Sequence, residues 1–183
     1  MSKDTSILGG HCKEYLRPYL ADLVSSVCKD DIELCAECVR KGSRFLNDPE
    51  GILNQILSEE QRSNGKPFSY SMKKELKTII WEAQLKTVFP VIERYRGYFI
   101  RKYHDSIKKI LPVSNSQGQN VLSAEEIEIG TLIYLVGNGT ITLTNSCEYQ
   151  ELEMFREARN KLAHLNILDP KTVEMILKKA EVI

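Results

Sequence analysis

The segment REARNKLAHLNILDP, residues 156–170, sets Arg159, Asn160 and His164 within six positions of one another. Those three residue types together suit phosphodiester cleavage in RNA. Unperturbed imidazole titrates near pH ~6.5, so a histidine can take or give a proton at neutral pH. A guanidinium holds a phosphate oxygen and neutralises charge as it builds, and an amide orients both by hydrogen bonding. Such a set needs no metal ion or other cofactor. The plainer use of the same residues is structural: Arg159 pairing with an acidic neighbour at the core edge, His164 bonding near a helix end, Asn160 in solvent.

Laid on a helix at about 100° per residue, Leu152, Phe155, Ala158, Leu162 and Leu165 fall along one broad face, the core side, with Arg159 at its edge. Asn160 and His164, four apart, stack on a different face together with Glu153 and Glu157. Arg159 and His164 leave the helix roughly 140° apart, and short arms on one helix cannot easily aim both at one small group. A second copy of the helix packed against the first would bring Arg159, Asn160 and His164 into a shared cleft. The geometry therefore predicts a homodimer.

The run RNKLAH, residues 159–164, also resembles the R-polar-x-x-x-H signature of the HEPN superfamily. In that family the motif lies on a late helix of an α-helical bundle, and the likeness covers about residues 69–183. It implies an all-α fold of HEPN type, with residues 1–66 as an N-terminal helical extension that it does not explain. It further implies a metal-independent endoribonuclease, homodimeric, in which the ribose 2′-hydroxyl attacks the adjacent phosphate and Arg159, Asn160 and His164 are catalytic. RNA would be the substrate, and a regulatory protein of antitoxin kind, in a defence role, a further partner. The superfamily includes non-catalytic members as well, so a binding or adaptor module for a protein or a nucleotide is the alternative.

The elements that must position these residues follow from the apolar spacing. A chain of 183 residues, 42% hydrophobic, can bury a core of ordinary domain size. Its formal net charge is zero, so any basic surface for nucleic acid has to be local. No run approaches the roughly 20 apolar residues of a membrane span, and the start MSKDTSILGGHCKEYL lacks the apolar stretch of a signal peptide. The expectation is a cytoplasmic protein with no membrane contact, its five cysteines free thiols.

Helical periods run over residues 12–29, where Pro18 suggests an early kink, and over 30–46, where Ile32, Cys35, Val39, Phe45 and Leu46 are expected inside. Asp48 and Pro49 mark the next helix start. The polar stretch 62–71 reads as a linker. A long helical pattern over 72–111 carries an expected break near Phe89 and Pro90, and Gly97 is a second interruption of the pattern. Residues 112–122 read as a loop. Ser123 with Glu126, and Asn145 with Glu148, have capping-box spacing. Between those helices, 137–146 is a turn with at most one short strand. Asp169 and Pro170 open a final helix to about Ala180.

A second candidate surface is RYRGYFIRKYHDSIKK, residues 94–109, where Arg94, Arg101 and Lys108 recur every seven positions among tyrosines. Such a stripe can follow an RNA backbone. It can equally be a solvated face opposite a core stripe of Ile92, Tyr95, Phe99 and Tyr103, or pair with the acidic run Glu125, Glu126 and Glu128. Cys35 and Cys38 form a C-x-x-C near Cys28 and the His11–Cys12 pair, but no second ligand pair completes a zinc site. Mid-helix, they read as small buried residues. Trp81 reads as a core anchor.

Overall fold

A computed structural model describes residues 12–70, 75–114 and 118–183. The fold is all-α apart from one small hairpin. A 3₁₀ turn at Glu14–Leu16 leads into α1 (Arg17–Cys28), and Pro18 sits in its first turn, where no amide hydrogen is needed. The proline thus starts the helix instead of kinking it. Asp31 then caps α2 (Ile32–Lys41) by accepting from the Leu34 amide over 3.1 Å. The buried face of α2 is Leu34 and Cys38, with Cys35 and Val39 half-buried. Ile32 is 82% exposed, contrary to expectation, because it leaves the helix roughly 200° from Leu34. Gly42, at φ +53°, ends α2, and α3 (Ser43–Asn47) carries Phe45 and Leu46 into the core.

Asp48 accepts from the Gly51 amide over 2.9 Å and opens α4 (Pro49–Glu59), the start its sequence announces. Past the polar linker, α5 (Leu76–Thr87) and α6 (Phe89–Lys102) are separated at Val88, so that Pro90 lies in the first turn of α6. Gly97 interrupts nothing. Tyr103 separates α6 from α7 (His104–Lys108). The segment expected to be a loop contains the hairpin, β1 (Val113–Ser114) antiparallel to β2 (Asn120–Val121). Three helices follow: α8 (Ile129–Gly137), α9 (Cys147–Ala163) and α10 (Pro170–Lys179).

Neither capping box forms. Ala124–Glu126 is a 3₁₀ turn, the Ser123 hydroxyl donates to the Glu125 carboxylate, and α8 begins only at Ile129. Asn145 accepts from the Cys147 amide over 2.9 Å, but Glu148 turns away to Lys102, Tyr103 and Thr144. Residues 137–146 contain no strand.

The buried side chains form one cluster that draws on both the first 66 residues and the remainder. Helix α1 lies against α5, and Tyr70 donates to the Val27 carbonyl over 3.0 Å. Lys13 and Tyr15 both reach Glu174 on α10. Central to the whole is α9, which packs on α5, α6, α8 and α10. Its Phe155 ring lies parallel to Tyr95 of α6, centroids 3.8 Å apart. Among the described residues, no helix is long and apolar enough to cross a membrane.

Candidate active site

The inner face of α9 is as its spacing predicts, with Leu152, Phe155, Ala158 and Leu162 buried. Leu165 is the exception, 65% exposed, because the chain leaves the helix at His164. The exit is a Schellman turn. The Asn166 amide donates to the Lys161 carbonyl over 2.9 Å and the Leu165 amide to that of Leu162 over 3.3 Å. Leu165 itself takes φ +60°, a conformation that usually falls to glycine and costs an L-residue about 1–2 kcal/mol.

Two side chains of α5 hold that turn in place. Trp81 is only partly buried, and its indole nitrogen donates to the Leu162 carbonyl over 2.8 Å. Gln84 is buried, accepts from the Leu168 amide over 2.7 Å, and donates to the Leu168 carbonyl over 3.0 Å and to Tyr19 over 3.3 Å. Leu162 and Leu168 are buried, and every residue between them is exposed. Beyond them Asp169 caps α10, accepting from the Thr172 amide over 2.9 Å and its hydroxyl over 2.6 Å; these bonds hold its carboxyl below the usual carboxylate range.

Asn160 and His164 stand in solvent on this clamped helix end, and among the described residues neither side chain has a hydrogen-bond partner. Arg159 is half-buried and lines a cavity of about 280 Å³ with Glu93, Arg96, Glu125, Glu126, Glu128 and Ile129. Arg96 spans that cavity, bonding Glu93 over 2.8 Å and the carbonyls of Glu125 and Ile127 over 2.7 and 3.1 Å. Arg159 forms no salt bridge with any described residue. Neither Asn160 nor His164 lines the cavity, so a single protomer does not gather the three around one small group. Four carboxylates on the cavity wall also oppose an anionic ligand there.

Arg94, Arg101 and Lys108 are all exposed and unpaired among the described residues. Arg94 and Arg101 share one flank of α6, and Arg96 leaves it roughly 200° from Arg94, toward the acidic cavity. Lys108 belongs to α7, past the break at Tyr103, so the stripe is not one continuous helical line. The core stripe Ile92, Tyr95, Phe99 and Tyr103 is buried. Of the neighbouring cations, Arg96 and Lys102 are committed to Glu93 and Glu148.

Sequence reasoning missed Gln84, a polar residue in an apolar run whose partners lie 84 positions away. It also missed Arg156, half-buried, with a buried Nε that lacks a hydrogen-bond partner among the described residues. The signal for Arg156 was present in its spacing, four residues before Asn160. The cysteines are free; the Sγ atoms of Cys28 and Cys38 lie 3.7 Å apart, and burial pushes the Cys35 thiol up to about 11. Among the described residues, no group of three or more His, Cys, Asp or Glu side chains is disposed to hold a metal ion. His11 lies outside the described residues. No family model, curated protein or solved structure matches the chain.

Proposed function

We propose that the chain is a metal-independent endoribonuclease of HEPN type, acting as a homodimer in which Arg159, Asn160 and His164 of two α9 helices meet at one cleft. The observation that carries this reading is the solvent-facing, unpartnered Asn160–His164 pair at the end of a helix held by Trp81 and Gln84. Among the described residues none bonds those two side chains, while the turn beneath them is fixed at the expense of a left-handed Leu165. His164 takes the proton of a ribose 2′-hydroxyl, and that oxygen attacks the adjacent phosphorus. The 5′-oxygen leaves and takes up the proton that the imidazolium returns, so the products are a 2′,3′-cyclic phosphate and a 5′-hydroxyl. Arg159 neutralises the non-bridging oxygens as their charge builds, and Asn160 orients the phosphate.

Incubation with structured RNA in EDTA tests the proposal, with fragments ending in cyclic phosphate as the expected result. The carboxylates around Arg159 favour a second reading, an adaptor that receives a cationic segment of a partner protein in that cavity. Intact RNA after prolonged incubation with the folded dimer selects the adaptor.

A further inference from the structure

We infer that Arg156 is the residue that grips an RNA phosphate on the His164 face, next to the scissile one and within the same protomer. The inference rests on the ribonuclease reading and adds a residue to it. Arg156, Asn160 and His164 are each four apart, so along α9 they climb about 6 Å and turn about 40° at each step. They form one line down one face. Arg159 lies off that line, roughly 60° from Arg156 on the side away from His164, inside the acid-walled cavity.

All three members of the line lack side-chain partners among the described residues. Arg156 differs from the other two in that its Nε is buried and unpaired, an arrangement that costs free energy and is relieved when the guanidinium finds an anion. Turning about its last torsions brings Nε and one Nη to the same phosphate as a two-pronged grip. Of the cations around α9, Arg96 is held by Glu93, Lys102 by Glu148 and Lys179 by Glu151, while the exposed Lys161 leaves the helix roughly 140° from Arg156. Glu153 and Glu157 share the face with Asn160 and His164, so diffuse attraction of phosphate there is weak and a directed contact has to supply the hold.

The test uses a short fluorescein-labelled 2′-O-methyl RNA, which has no free 2′-hydroxyl and is not cut. Its anisotropy gives Kd for the wild type and for Arg156→Ala, Arg156→Lys and Arg159→Ala, with helical circular dichroism as the folding control. Arg156→Ala is expected to weaken binding roughly ten- to a hundred-fold, the range of a lost charged hydrogen bond. Arg156→Lys should recover only part of that loss, because an ammonium cannot fork, and Arg159→Ala should change Kd far less. Wild-type affinity in folded Arg156→Ala overturns the assignment and leaves the ribonuclease reading standing, since cleavage is assayed separately. Wild-type affinity in Arg156→Lys overturns the two-pronged grip. If the wild type itself binds nothing, both the assignment and the RNA reading fall. Should the alanine variant not fold, the lysine variant, which keeps the packed stem, decides alone.

Discussion

The indole nitrogen of Trp81 donates to the Leu162 carbonyl over 2.8 Å, from the middle of α5 to the last turn of α9. Three positions further along α5, Gln84 seizes both backbone groups of Leu168. The exposed residues in between, His164 among them, therefore hang from two fixed points on a neighbouring helix.

That relationship orders the effects of two substitutions. Trp81→Phe removes one exchanged hydrogen bond and should destabilise by about 1 kcal/mol. Gln84→Leu leaves a buried amide and a buried carbonyl of Leu168 unpaired, and should cost more, about 3 kcal/mol. Urea midpoints measure both, and an equal or smaller loss for Gln84→Leu contradicts the clamp.

Leu165→Gly probes the turn itself. Glycine at φ +60° relieves the left-handed penalty of about 1–2 kcal/mol and gives back part of it as chain entropy, for a net gain of up to ~1 kcal/mol. A raised urea midpoint is expected. A lowered one shows that the exposed leucine is packed against another molecule in solution.

Acid should loosen α10 through its cap. Hydrogen bonds from Thr172 depress the Asp169 carboxyl, so its stabilisation is complete above the unfolded value of about 3.9 and fades as pH falls through the lower folded value. Asp169→Asn keeps a capping side chain but cannot titrate. Its urea midpoint should fall less steeply below pH ~4 than that of the wild type; parallel curves contradict the role of Thr172.

Much of this organisation can be read along the chain. Asp48–Pro49 and Asp169–Pro170 start helices as their chemistry dictates, and the α9 core face is correct through Leu162. What fails to show is whatever depends on distant partners. Glu148 has the spacing of a capping residue, yet Lys102, Tyr103 and Thr144 outbid the helix start for it. Leu165 fits the helical period and misses the core because the helix ends at Ala163. Ile32 has the right character and the wrong angle, since the packing of α2 is centred on Leu34 and Cys38. Gln84 looks misplaced until Leu168 arrives from the far end of the chain.

The composite cleft makes a prediction that a one-protomer site does not share. Arg159→Ala and His164→Ala are each expected to lose nearly all cleavage, and mixing them lets heterodimers form in which the shared cleft keeps one Arg159 and one His164 from opposite protomers. Equal mixing with subunit exchange should return about a quarter of wild-type cleavage under two-fold symmetry. No recovery, with exchange verified, means that both residues act within one chain.

The rate of RNA cleavage by His164→Ala in EDTA tests the central claim most directly. His164 is exposed, so its truncation leaves no cavity and the variant should fold and assemble as the wild type does. Loss of a proton-transferring group predicts a rate lower by about a hundred- to ten-thousand-fold, with fragments ending in cyclic phosphate accumulating that much more slowly. A folded, dimeric His164→Ala protein that cuts RNA at the wild-type rate contradicts the account.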